Sequence, residues 1–121
     1  MVKVPSFILK KLYTKGSLKN IDDGFQFEIK NVLADATIIS PLNILVDDSP
    51  IDLSKIILKS PEGEISSNDI SINNSILFKV KTSVTVIVKG ISLPPGEHRI
   101  HISTKTKEYG PVEFEIKDKI V

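Results

Sequence analysis

The amino-acid sequence predicts a single all-β domain over residues 1–121, an antiparallel β-sandwich of immunoglobulin-like type with roughly seven to nine short strands and little helix. In most segments rich in apolar residues, these residues recur with the period of two that is typical of a strand, not with the period of 3.6 that is typical of a helix. Turn-forming residues separate these segments at short intervals. The 121 residues fit one domain, and the apolar fraction of 40% is enough for one core.

Strands are predicted where polar and apolar residues alternate or where an apolar run is short. Residues 25–29, 100–102 and 112–116 alternate, so each has one face to bury and one to expose to water. Residues 83–88 are apolar or β-branched on both faces, which predicts a central strand ending at Lys89-Gly90. Further strands are predicted at residues 7–14, 43–46, 55–59 and 76–79.

Turns and short helical segments complete the predicted architecture. Residues 52–55 and 67–70 are each long enough for one helical turn, with Asp52 or Ser67 as the cap. Gly96 stands where a type II turn needs a positive φ. The other predicted turns are Asp22-Asp23-Gly24, Asp47-Asp48-Ser49-Pro50, Pro61-Glu62-Gly63 and Tyr109-Gly110-Pro111.

Composition and charge exclude several classes of function. The chain has no cysteine, so disulfides, thiolate nucleophiles and cysteine-based metal sites are absent. A formal charge of +1 is unlike that of a nucleic-acid-binding domain, although five lysines without an acidic residue in residues 1–20 leave single-stranded nucleic acid as a minor alternative. No segment has the length of a membrane-spanning helix or the core of a signal peptide, so a cytoplasmic location without a membrane partner is expected.

The titratable residues predict no catalytic centre, no metal site and no cofactor. His98 and His101 lie three positions apart on a predicted strand, so they face opposite sides and do not bind one metal together. Neither histidine has an obvious orienting carboxylate in the sequence. The adjacent acidic residues, Asp22-Asp23 and Asp47-Asp48, are explained by turns. A nucleophile motif of the form G-x-S-x-G and a glycine-rich phosphate loop are both missing.

Three stretches of the chain, spread over residues 23–118, carry a family resemblance. They are Asp23-Gly24-Phe25 with the strand that follows, residues 42–51 with the turn Val46-Asp47-Asp48-Ser49-Pro50, and Leu93-Pro94-Pro95-Gly96-Glu97-His98-Arg99-Ile100-His101-Ile102. Together they resemble the small β-subunit of C-glycoside deglycosidases. The resemblance implies a β-sandwich that accompanies a larger TIM-barrel-type subunit, which holds the metal and the catalytic base. It implies no active-site residue in this chain.

The predicted function is that of a non-catalytic accessory or interaction subunit. Its partner would be a second copy of the chain or a larger enzyme subunit, docked at a sheet edge or face. The alternative is a binding module for carbohydrate or another small ligand. The residues predicted to contact a partner or ligand are Tyr13, His101 and Tyr109. A small metal-dependent enzyme would require His98 and His101 to converge with a carboxylate.

Overall fold

Two antiparallel sheets form a β-sandwich in the computed structural model, which describes residues 4–120. Lys3, one of the five lysines in residues 1–20, lies outside the described residues. The described residues contain eleven strands, Lys19–Ile21 (β1), Gly24–Lys30 (β2), Ala36–Ile38 (β3), Asn43–Val46 (β4), Ser49–Pro50 (β5), Ile56–Ser60 (β6), Gly63–Ser66 (β7), Ile76–Phe78 (β8), Ser83–Lys89 (β9), Gly96–Thr106 (β10) and Gly110–Ile120 (β11).

The spatial order of the strands differs from their order in the chain. The first sheet has the order β1-β2-β9-β6-β7. The second sheet has the order β5-β4-β10-β3-β8. β10 pairs with β4 and β3 along one edge and with the whole of β11 along its other edge. Every pairing is antiparallel. The predicted all-β sandwich is therefore confirmed, although the described residues form eleven strands rather than seven to nine.

A single apolar core lies between the two sheets. In β2, Phe25, Phe27 and Ile29 point inward, while the residues between them are less buried. Burial of each such side chain stabilises the fold by about 1.5–3 kcal/mol. The strand predicted to be central, β9, is hydrogen-bonded to β2 on one side and β6 on the other. Its valines are buried, which confirms that prediction.

The predicted turn at Asp47-Asp48 is confirmed as the two-residue loop of a β-hairpin. Val46 pairs with Ser49, and both loop residues have positive φ, 49° for Asp47 and 71° for Asp48. Two successive positive φ angles are typical of a type I′ turn, whose twist matches that of the flanking strands. Aspartate tolerates this conformation better than most residues.

The N-terminal segment corrects the prediction of a strand at residues 7–14. Ser6–Leu9 form a short α-helix (α1), which continues as a 3₁₀ helix over Lys10–Leu12. The carbonyl oxygen of Pro5 accepts hydrogen bonds from the N–H groups of Ile8 and Leu9 at 3.1 and 3.2 Å. The apolar run at residues 7–9 is too short to distinguish a strand from a helix by its period. No helix within residues 4–120 is long and apolar enough to cross a membrane.

The two predicted helical turns are 3₁₀ helices, and only one has the predicted cap. Asp52 caps Leu53–Lys55, because its Oδ1 accepts the Ser54 N–H at 2.9 Å. Ser67 lies inside the second turn rather than capping it. Its buried hydroxyl instead accepts from the Leu42 N–H and donates to the Leu42 carbonyl oxygen, both at 2.8 Å. The loop between β3 and β4 is thereby attached to the turn that follows β7.

Candidate binding site

An apolar cavity of about 310 Å³ opens at one end of the sandwich. Both sheets contribute to its wall, with Ile29 from the first sheet and Ile102 and Phe114 from the second. Phe78 at the end of β8 and Leu42 from the loop before β4 also line it. The cavity is therefore an outward extension of the space between the sheets, where the core is not filled by side chains of the sandwich.

The N-terminal helical segment forms one wall of the cavity. Ile8, Leu9 and Leu12 line the cavity, while Lys10 and Lys11 are exposed. This distribution is that of an amphipathic helical segment with its apolar face turned to the core. The lysines that suggested a nucleic-acid contact thus include two on the solvent side of the cavity wall.

The polar side chains on the cavity wall are mostly engaged within the protein. The Asn31 Nδ2 donates to the carbonyl oxygens of Ala34 and Phe78, both at 2.7 Å, and its Oδ1 accepts the Leu33 N–H at 3.0 Å. The Thr106 hydroxyl donates to the Gly110 carbonyl oxygen at 3.1 Å. Among the described residues, those that line the cavity include no charged side chain. Such a surface favours apolar groups over ions or highly hydroxylated molecules.

Exposed apolar residues lie on two loops that are hydrogen-bonded to each other, one of which lines the cavity. Val32 and Leu33, in the loop between β2 and β3, are 50% and 38% exposed and line the cavity. Val80, after β8, is 38% exposed. Its N–H donates to Asp35 Oδ1 at 2.8 Å, which ties its loop to the loop that carries Val32 and Leu33. Val32, Leu33 and Val80 are called the apolar rim below.

The structure does not bring the three predicted contact residues together. Tyr109 is half-buried in the cavity wall. Tyr13 lies outside the cavity lining and packs on Phe27, with the ring centroids 6.0 Å apart. His101 is on the outer face of β10. Of the three residues, Tyr109 has the position that suits a ligand contact in the cavity.

Tyr13 connects the N-terminal segment to the last strand. Its hydroxyl donates to Asp118 Oδ2 at 2.5 Å, and the same oxygen accepts the Gly16 N–H at 2.8 Å. Burial and the hydrogen bond to Asp118 raise the pKa of Tyr13. Burial opposes ionisation of Asp118, but hydrogen bonds from Tyr13 and from backbone N–H groups lower its pKa overall. Tyr13 thus has a structural role.

Replacement of Tyr13 by phenylalanine should lower the free energy of unfolding by about 1.5–3 kcal/mol, because it removes one hydrogen bond to a carboxylate and retains the ring. Urea denaturation measures this change. Tyr109→Phe is the matched control, because the Tyr109 hydroxyl makes no hydrogen bond to another described residue, so its removal should leave stability nearly unchanged. Equal losses in the two variants would contradict a structural role for the Tyr13 hydroxyl.

The two histidines point to opposite faces of β10, which confirms their predicted separation. His101 lies near Glu113, with 3.4 Å between Nε2 and Oε2. His98 is buried beside Ile100 and contacts Asp47, at 2.7 Å between Nδ1 and Oδ2. The expectation that neither histidine has an orienting carboxylate is therefore wrong for His98. Within residues 4–120, the His, Asp and Glu side chains form no group of three or more placed to hold a metal ion.

The fold and the cavity together define a β-sandwich domain with an apolar cavity at one end. Residues 8–121 match the family model described as the hydroxymethylglutaryl-CoA reductase N-terminal domain. The chain belongs to this family. The comparison with curated proteins gives no match. The family description names an N-terminal domain of an enzyme rather than its catalytic domain, which agrees at this coarse level with the predicted non-catalytic role.

Proposed function

We propose that the chain is a non-catalytic accessory domain that docks onto the catalytic domain of a hydroxymethylglutaryl-CoA reductase. The observation that carries the proposal is the family match over residues 8–121, because its description places such a domain with that enzyme. The resemblance to deglycosidase β-subunits supports the same kind of role, a β-sandwich beside a larger catalytic polypeptide. A deglycosidase as the partner enzyme, which the resemblance implies, remains a prediction.

The apolar rim is the proposed contact surface. Val32, Leu33 and Val80 are exposed on two hydrogen-bonded loops at one end of the sandwich. Exposed apolar residues that cluster in this way are typical of protein interaction surfaces. On α1, Phe7 directly precedes the cavity-lining Ile8 and is 69% exposed. Burial of these side chains against a partner would supply the apolar centre that a specific interface needs.

Co-purification of the tagged chain with an untagged reductase catalytic domain from the same organism tests the association. Light scattering of the purified material would give a mass equal to the sum of the two polypeptides in a defined ratio. A chain that remains monomeric and does not bind the catalytic domain would contradict the proposal. A homo-oligomer without affinity for the catalytic domain would support self-association, the other partner considered for this chain.

The rim variant Val32→Asp should weaken the association at least about tenfold, which corresponds to about 1.4 kcal/mol, because a charge would be buried in an apolar contact. The change should leave the fold intact, since Val32 is half exposed. Titration calorimetry with the catalytic domain measures the affinity, and circular dichroism checks the fold.

Ile72→Asp is the matched control for the rim variant. Ile72 is 69% exposed and precedes β8, whereas Val80 of the rim follows that strand. The control should therefore bind the catalytic domain like the unaltered chain. Equal weakening by both variants, or no weakening by Val32→Asp, would mean that the rim is not the contact surface.

A further inference from the structure

We infer that the cavity at the open end of the sandwich is a binding site for a small apolar molecule that carries at most one neutral polar group. The inference goes beyond the proposed accessory role, because it concerns the free chain and requires no partner. Three properties of the cavity carry it, namely its volume, the chemistry of its wall and the access to it from solvent.

The volume is large for a domain of this size. Protein interiors are close-packed, and the few voids that they contain are seldom much larger than a water molecule. The cavity measures about 310 Å³. An apolar cavity of about 150 Å³ in another protein stays dry and binds benzene, and small-molecule pockets begin at about 300 Å³. The cavity is therefore large enough for a medium-length hydrocarbon chain or a fused ring system.

The wall selects against charge. Asn31 and Thr106 use their side-chain hydrogen-bonding groups within the protein, as described above. Thr104, the third polar residue of the wall, donates to the Ser40 carbonyl oxygen at 2.9 Å. A charged group of a ligand would lose its hydration in the cavity and gain no partner in return. Neutral apolar ligands lose little hydration and gain dispersion contacts.

The Tyr109 hydroxyl is the proposed hydrogen-bonding partner of the one polar group on the ligand. It lines the cavity, and its hydroxyl makes no hydrogen bond to another residue in the part of the chain that the structure describes. One hydroxyl or carbonyl group of a ligand can pair with it. The inference therefore assigns the predicted contact residue Tyr109 a specific partner group, whereas Tyr13 and His101 lie outside the cavity lining.

Access to the cavity is apolar as well. Val32 and Leu33 line the cavity and are also exposed to solvent, so an apolar surface continues from the outside to the interior. Over the part of the chain that the structure describes, a ligand can thus pass from solvent to the core side chains along apolar residues of the lining. Binding of a partner at the rim would enclose the ligand and is not needed for the ligand to bind.

Fluorescence of the neutral probe N-phenyl-1-naphthylamine tests binding to the purified full chain. We expect saturable enhancement with one probe per chain, and displacement of the probe by 1-octanol. Octanoate, which has a similar chain and a negative charge, should require at least about tenfold higher concentration, because its carboxylate has no partner in the cavity. Glucose should not displace the probe.

Ala36→Phe is the variant that fills the cavity from β3, where Ala36 lines the wall. It should weaken probe binding at least about tenfold, because the added ring occupies the ligand's space. Thr85→Phe adds a phenyl ring to the outer face of β9 in the other sheet and should not change probe binding. Tyr109→Phe should weaken 1-octanol binding a few-fold, because it removes the hydroxyl that pairs with the ligand.

Methyl NMR spectra keep the test decisive if Ala36→Phe does not fold. Addition of 1-octanol should shift the methyl signals of Leu12, Leu42 and Ile102, which line the cavity, and leave those of Ile57 and Ile87 in the first sheet unchanged. Absence of saturable binding, or shifts spread over both groups, would overturn the inference. Loss of ligand binding together with retained association with the catalytic domain would leave the proposed accessory role intact.

Discussion

Replacement of Gly24 by alanine should lower the free energy of unfolding by at least about 3 kcal/mol. Gly24 begins β2 with φ at +151° and pairs with Lys89 of the central strand. A Cβ atom at this position would lie 1.9 Å from the Val88 carbonyl oxygen and 2.9 Å from its carbonyl carbon. Backbone atoms cannot rotate away, so β2 and β9 would have to separate at this end. Phe25 and Val88, both fully buried, would lose packing as a result.

Gly90→Ala is the control that separates the steric clash from backbone strain. Gly90 has φ at +78°, and a Cβ atom there would contact nothing within 4 Å. Its replacement should cost only the strain of a left-handed conformation, about 1–2 kcal/mol. Guanidinium denaturation of both variants measures the two costs. If the two losses were equal, the close approach of Gly24 to β9 would not be what requires glycine at position 24.

The strands that were predicted correctly have a pattern that can be read without knowledge of the partner strand. In β2, β10 and β11, apolar residues alternate with more exposed residues. β9 was predicted from a run that is apolar or β-branched on both faces, and β4, β6 and β8 from short apolar runs. The missed strands are β1, β3, β5 and β7, which have at most four residues. Short strands of this kind are formed by pairing with a neighbour, and a single sequence does not reveal that neighbour.

The candidate site was less predictable, because its parts are distant in the sequence. Ile8, Phe78 and Tyr109 meet at the cavity only after the two sheets have packed. Tyr109 was predicted to contact a partner or ligand, but the cavity itself has no motif. One local signal was available, the apolar pair Val32-Leu33 in a segment that follows a strand without a turn motif. Apolar residues in an exposed loop indicate an interaction surface.

The contact of Asp47 with His98 was likewise not predictable from the sequence, although the turn that contains Asp47 was. The turn at Asp47-Asp48 was predicted correctly from residue type. His98 lies on the buried face of its strand. Their contact depends on the pairing of β4 with β10, which sets Val46 opposite Ile100 and brings together residues that are 51 positions apart. The sequence contains no local sign of this register.

The geometry around His98 requires a positively charged imidazole ring. Nδ1 is 2.7 Å from Asp47 Oδ2, and Nε2 is 2.7 Å from the Pro94 carbonyl oxygen. Neither oxygen has a proton to donate when the aspartate is ionised, so both ring nitrogens must donate, and only the imidazolium ion has two N–H groups. These hydrogen bonds, that to Asp47 first, raise the pKa of His98 against the opposing effect of burial. The Arg99 N–H and the hydrogen bond to His98 lower the pKa of Asp47.

This arrangement predicts a fold that loses stability as the pH rises above 6.5. The pKa of His98 in the folded chain lies above the value of 6.5 expected for an unfolded chain. Its stabilising contribution is therefore complete below pH 6.5 and disappears as the pH rises through the folded-state pKa. Asp47 acts in the opposite direction and at much lower pH, because its lowered pKa contributes stability that is lost only as the pH falls below 3.8.

His98→Gln should lower the free energy of unfolding at pH 6 by about 1.5–3 kcal/mol, because Asp47 and Pro94 lose a charged donor. The same variant should lose the decline in stability above pH 6.5. His101→Gln, on the outer face of the same strand, is the control and should retain that decline. Urea denaturation at intervals from pH 5.5 to about pH 9 measures all three proteins. Stability of the unaltered chain that stays constant or rises over this range would mean that His98 is not held as an imidazolium ion by Asp47 and Pro94.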